Sequence, residues 1–237
     1  RAEGVAEVEG QLADLGASRG TATLDRLTVG YADFRVESAG PVKLALDRGR
    51  VEVSALTLRG TNTELTLGGS REASGRLDLS ASGRLDLRLL GGLFPFVKRP
   101  QGTLALEAHV GGTAAEPVLV GAGRLQEGGF ALRDAAAVVS GVRGDLAFSQ
   151  NRVLFDELGG ALNGGKLTRR GEVELARLAP SRLRVEALLE DVPLAVPASF
   201  PATLSGRVVA DGTPEATTVA GLLHVVRARY TEDVQLE

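Results

Sequence analysis

Residues 142–175 read VRGDLAFSQNRVLFDELGGALNGGKLTRRGEVEL, and the sequence 102 residues earlier lies on them in register. Leu44, Leu46, Arg50, Val51, Val53, Leu56, Leu65 and Gly69 fall on Leu146, Phe148, Arg152, Val153, Phe155, Leu158, Leu167 and Gly171. Inside each copy, apolar residues alternate with polar or small ones, as at Leu146/Phe148, Val153/Phe155 and Val173/Leu175. A period of two belongs to a strand with one dry face and one wet face. Self-similarity at a long fixed period belongs to a chain built from repeated units. The expected fold is all-β: an elongated, curved, mostly antiparallel sheet made hairpin after hairpin.

The repeat divides the chain into spans of one continuous sheet, with no independent domains. Residues 1–19 are the tail of a preceding repeat, 20–120 the first copy, 121–220 the second, and 221–237 the start of a third. Gly20, Gly121 and Gly221 open the copies. Turn signals recur every 8–12 residues, at Asp47-Arg48-Gly49, Gly60-Thr61-Asn62, Gly68-Gly69, Gly111-Gly112, Gly128-Gly129 and Gly164-Gly165. They predict roughly twenty short strands. Two segments break the alternation: residues 89–100, LLGGLFPFVKRP, and 188–201, LLEDVPLAVPASFP. Proline cannot donate to a sheet ladder, so both are expected to be loops or short helical turns plugging the rim. The sequence starts at Arg1 and its third copy stops early, so the chain is expected to be a segment of a longer protein.

Chemistry of the usual enzymatic kinds is hard to place. Cysteine is absent, and the two histidines, His109 and His224, sit in strand patterns without carboxylates at metal-ligand spacing. The glycines at 159–160 and 164–165 precede a strand and lack the Gly-Lys-Ser/Thr ending of a phosphate loop. Asp134, Asp145, Asp156 and Glu157 offer carboxylates, but without aromatic platforms for a sugar. The net charge of −3 is spread evenly, which gives no nucleic-acid footprint. No catalytic residue, metal or cofactor is expected, and no apolar run is long enough to cross a membrane as a helix.

What remains is the hydrophobic pattern itself. A sheet this large cannot leave an apolar face in water, so it must close into a barrel, stack as two sheets, or curl into a trough that something else fills. Aromatics make up only 4% of the chain, and tryptophan, methionine and isoleucine are absent, so the interior is leucine, valine and alanine. Acyl chains would fill such a trough at least as well as side chains would. Composition leaves the three closures open.

The order of motifs narrows the choice. Gly144 to Leu175 approximates GxLxFxxxRVxxxxLxGxxxxGxLxxxGxVxL, and Gly112-Thr113 through Pro117 to Gly121 gives GTxxxPxLxG. With the ending Tyr230-Thr231-Glu232-Asp233, these resemble the TamB branch of the AsmA-like envelope proteins of Gram-negative bacteria. The second copy departs from the pattern at Thr217, where the family carries proline. The resemblance implies a U-shaped, taco-like β groove in the periplasm, within a parent protein anchored in the inner membrane by a helix outside this segment. It also implies phospholipid acyl chains as cargo and an outer-membrane barrel protein of the TamA type as partner.

The residues expected to line the groove are Leu44, Leu46, Val51, Val53, Leu65, Leu67, Leu104 and Leu106 in the first copy. In the second they are Leu125, Leu132, Leu146, Phe148, Val153, Phe155, Leu167, Val173, Leu175, Leu183 and Val185. Their role would be to replace water around acyl chains, at about 25 cal/mol per Å² of apolar surface covered. No side chain stands out as a reader of lipid head groups. The rival is a scaffold for outer-membrane protein assembly, in which an open edge strand pairs with a client strand. A β-helical, glycan-active enzyme has the least behind it.

Overall fold

The computed structural model describes residues 2–9, 18–31, 34–94, 97–133, 137–195 and 201–228. They form one fifteen-stranded sheet in which the paired strands are antiparallel neighbours, nearly all in chain order. The strands are β1 (Ala2–Glu9), β2 (Arg19–Tyr31), β3 (Phe34–Ser38), β4 (Val42–Asp47), β5 (Arg50–Gly60), β6 (Thr63–Arg71) and β7 (Leu77–Asp86). After a 3₁₀ turn (Leu87–Leu93) follow β8 (Val97–Gly112), β9 (Pro117–Leu132), β10 (Val138–Ser149), β11 (Arg152–Leu162), β12 (Gly165–Ala176), β13 (Ala179–Ala195), β14 (Pro201–Gly212) and β15 (Thr217–Ala228). β3 and β4 share one place, both lying between β2 and β5.

The 102-residue offset reappears in the strands. β5, β6 and β7 begin at 50, 63 and 77, and β11, β12 and β13 begin at 152, 165 and 179. Even the break between β3 and β4, at Ala39-Gly40-Pro41, lands on a register shift of β10 around Gly141-Val142-Arg143. Tight turns recur likewise. Arg48-Gly49, Gln150-Asn151 and Asn163-Gly164 each have positive φ at both residues, the twist that matches a two-residue hairpin.

The strands are fewer and longer than expected. The glycine pairs at 68–69 and 128–129, and the start of the glycine-rich stretch at 159–160, lie inside strands rather than at turns, whereas Gly111-Gly112 does end β8 at a turn. Gly69 shows why: a Cβ there would run into the carbonyl oxygen of Asp78 on β7. Its counterpart one repeat later, Gly171, would meet the carbonyl of Arg184 on β13 in the same way. These glycines let backbones approach, which marks a strand as readily as a turn.

The proline-marked segments also differ from expectation. In the first copy, residues 87–93 do form a 3₁₀ turn, with Asp86 accepting from the backbone N–H of Arg88. Yet Pro100 lies within β8, at a register shift between Lys98 and Gln101 where the ladder is already broken. In the second copy β13 continues to Ala195, so most of the 188–201 segment is strand and not rim loop. Pro193 is tolerated there because β12 ends its pairing at Glu190, leaving β14 on one side and the Asn163 side chain, which donates to the Pro193 carbonyl, on the other. Residues 95–96 and 196–200 lie outside the described residues.

The sheet is a single layer, yet Val192 is 0% exposed and Val142 2%. A lone sheet buries side chains to that degree only by folding over them. Register shifts supply the bend: they interrupt β5 at Val53/Leu56, β8 at Gln101/Thr103, β10 at Val139/Val142, β11 at Phe155/Leu158 and β13 at Leu189/Val192. Such irregularities bend and twist the strand that carries them. Two apolar clusters occupy the resulting crease. One joins Phe34, Val36, Val42, Leu56 and Leu58. The other joins Val139, Val142, Phe155, Leu158, Leu167, Ala187, Leu189 and Val192. At the first cluster the 3₁₀ turn reaches back to touch β2, Leu89 packs on the cluster, and the Arg88 guanidinium lies 4.6 Å over the Phe34 ring.

Candidate functional site

Directly paired residues of neighbouring antiparallel strands point to the same face, so the registers trace that face across the molecule. Leu46 pairs with Val51 and Leu44 with Val53. Val53 pairs with Gly69, and Leu58 with Leu65. Leu65 leads through Gly83 to Leu106, and Leu85 through Leu104 to Leu125. Leu146 pairs with Gly123, and Phe148, Val153, Val173 and Leu183 form one continuous rank. Phe155 leads through Gly171 to Val185, and Leu167 lies between Gly160 and Leu189. Strand parity adds Leu67, Leu132 and Leu175. Every residue expected to line the groove thus stands on one face.

Burial along that face is uneven. Leu104, Phe155, Leu167 and Leu183 are buried, Val51 is exposed, and the others are half-buried. The best-buried positions include residues the alternation did not single out: Val36, Val42, Val139, Val142 and Val192. They sit beside interruptions of the ladder, where a strict period of two loses phase. The ranks of Leu146, Phe148, Val153 and Val173 form an aliphatic wall beside the buried crease, and no second layer of described residues covers it.

The other face is charged and internally paired. Arg124 meets Asp145 at 2.7 Å, Arg143 meets Glu127 at 2.6 Å, and Lys166 meets Glu190 at 2.9 Å. Arg170 and Arg207 both reach Glu186, and Arg182 reaches Asp211. The Arg124 guanidinium holds the Asp145 carboxyl below its usual range, and Arg170 does the same for Glu186. Exposed pairs of this kind stabilise little individually; they mark which side of the sheet is wet. A shallow hollow lined by Glu172, Glu174, Arg182 and Arg184 lies on this side.

Arg169 breaks the division. It stands on β12 between Leu167 and Gly171, paired with Leu158 on one side and Ala187 on the other, all on the apolar face. Its Nε is buried without a hydrogen-bond partner, and no described carboxylate forms an ion pair with it. Burial alone pulls its pKa down to about 10, so at neutral pH it remains a cation. One repeat earlier the same position is Leu67. Sequence reasoning passed over it, although a signal was present. Arg169-Arg170 is a doublet in an alternating strand, so one of the two must face inward.

The other titratable candidates are dispersed. Asp145 is bound to Arg124, Asp156 and Glu157 are exposed at the irregularity of β11, and Asp134 lies outside the described residues. His109 Nδ1 is 3.7 Å from Asp78 on the charged face, and His224 is exposed on β15. Among the described residues no three His, Cys, Asp or Glu side chains gather as a metal site would require. No helix among them is long and apolar enough to cross a membrane.

At the far end, β15 pairs only with β14 among the described residues, and Val219, Leu222, Leu223, Val225 and Val226 are all exposed on it. Comparison with known families places residues 156–236, from within β11 onward, in the TamB C-terminal domain. Over that span, about a third of the chain, the sequence is similar to the TamB C-terminal domain. No curated protein and no solved structure matches the chain.

Proposed function

We propose that this segment carries phospholipids through the periplasm, its aliphatic face sheathing acyl chains while head groups stay toward water, and that it does so without catalysis. The observation that carries the reading is a single-layer sheet with leucine and valine along one face and ion pairs along the other. A soluble sandwich would lay a second sheet on the apolar face; here the crease alone is filled by side chains, and a half-buried aliphatic wall adjoins it. Covering that wall with acyl chains is favourable by about 25 cal/mol per Å². A continuous face also suits transfer, since no rank of the sheet demands that a chain leave apolar surroundings. The outer-membrane end of such a conduit would meet a barrel protein of the TamA type.

The test is chemical. Purified from a bacterial host in detergent-free buffer, the chain should carry phospholipid detectable by native mass spectrometry and by lipid extraction. A lipid-free protein that also fails to take up added phospholipid would refute the conduit.

A second reading draws on β15. Its open edge and exposed apolar side chains suit pairing with an incoming β-strand, as a scaffold for outer-membrane protein assembly requires. Crosslinking from Leu222, on the charged side of the sheet, separates the two. Adducts with unfolded barrel protein support the scaffold, and adducts with none of its strands count against it.

A further inference from the structure

We propose that Arg169 is a binding point for the phosphate group of a lipid lying along the apolar face, an inference that rests on the lipid-conduit reading above. The position decides the side chain's environment. Arg169 faces Leu158 and Ala187 across the two ladders, with Leu167 and Gly171 on its own strand. The carboxylates nearby in sequence belong to the opposite face, where Glu186 is held by Arg170 and Arg207, and Glu190 by Lys166. Among the described residues, then, none offers this guanidinium an anion, and its Nε meets no acceptor.

An unpaired cation on an apolar surface is unfavourable, and the fold does not demand one, since Leu67 occupies the equivalent place a repeat earlier. What would satisfy it is an anion delivered with apolar chains attached. A phosphodiester fits best, because the planar guanidinium fork binds two phosphate oxygens at once. The surroundings suit the rest of the molecule. Ala187 and Gly171 put no long side chain beside the guanidinium, and Val173 and Val185, half-buried along the same face, offer aliphatic surface for the tails. Placed at the crease of β11–β13, such a contact would give moving lipids a station at which the head group is read.

Isothermal titration calorimetry on the full chain tests this with three probes: dihexanoyl phosphatidylglycerol below its micelle concentration, dihexanoylglycerol with the same tails and no phosphate, and inorganic phosphate. The wild type should bind the phospholipid at least about tenfold tighter than the diacylglycerol, the increment of a charge-assisted hydrogen bond. Arg169→Leu should lose that preference while keeping its affinity for diacylglycerol, and Arg169→Lys should keep part of the preference. Circular dichroism checks that each variant folds. If wild type and Arg169→Leu bind the phospholipid equally, the Arg169 station is wrong and the conduit stands. If neither protein binds either lipid, the conduit itself is wrong and the station falls with it. If inorganic phosphate binds the wild type as tightly as the phospholipid does, Arg169 is a free-anion site and the lipid assignment is overturned.

Discussion

Replacing Arg169 by leucine should make the protein more stable, contrary to the usual effect of substituting a largely buried residue. The structure supplies the magnitude. Burial alone lowers the guanidinium from its ordinary value to about 10, and at about 1.4 kcal/mol for each tenfold change in proton affinity, holding the charge in place at neutral pH costs the fold about 3 kcal/mol. Water reaching the side chain from the open side of the sheet reduces this, and the lost contacts of the aliphatic stem reduce it further. The expected gain for Arg169→Leu is about 1–2 kcal/mol in lipid-free protein. The pH dependence provides an internal control. Above about pH 10 the unfolded chain keeps a proton on Arg169 that the folded chain has released, so wild-type stability rises with pH there. The variant lacks this rise, and the gap between the two should narrow as pH climbs above 10. All other basic groups are common to both proteins and cancel in the comparison. Urea melts at pH 7 and at successive alkaline values measure both quantities. A variant less stable than wild type, or a gap that does not change with pH, would show that Arg169 has a partner and that the argument is wrong.

Three further outcomes follow from the geometry. Phe148→Asp, on the half-buried wall, should fold and bind phospholipid at least about tenfold more weakly, whereas Ser149→Asp on the charged side should change neither; lipid binding with circular dichroism as the folding check decides. Val192→Asp puts the same charge where exposure is 0%, and should destabilise by about 3–5 kcal/mol or prevent folding, visible as loss of the cooperative melt. Burial raises the Asp86 carboxyl, but Arg88 and Asn62 bring it below its usual value overall; stability from this pairing is present above about pH 4 and lost as pH falls further. Asp86→Asn should therefore start less stable and decline less steeply in acid melts.

Much of the architecture could be read from the sequence because alternation determines a face even where strand boundaries are misjudged. Leu65 and Leu67 were assigned correctly to one side although Gly68-Gly69 was read as ending their strand. The glycine pairs misled because glycine serves two purposes, a turn's left-handed φ and a backbone's close approach, and only the packing of Asp78 against Gly69 distinguishes them. The prolines misled for a related reason. Pro193 is compatible with β13 only because β12 has already ended beside it, a fact of register that local sequence does not carry. Val139, Val142 and Val192 were overlooked because irregularities shift the phase of the pattern where the sheet bends most. Arg169 was overlooked because charge was taken to mean surface; the repeat alignment, which sets it on Leu67, held the information.

The near-linear strand order makes the molecule a ruler. From β5 to its counterpart β11 the path crosses β6, β7, β8, β9 and β10, so one 102-residue copy advances the sheet by six strand spacings. At about 4.8 Å per spacing this is about 29 Å of reach per copy. Lengthening a turn such as Asn163-Gly164 leaves that distance untouched, because residues added there project sideways from the sheet. Only whole hairpins change it, and they change it in steps. A parent protein built on this plan would match a gap between two surfaces by its number of copies, and deleting one copy would leave a shorter span with the same cross-section.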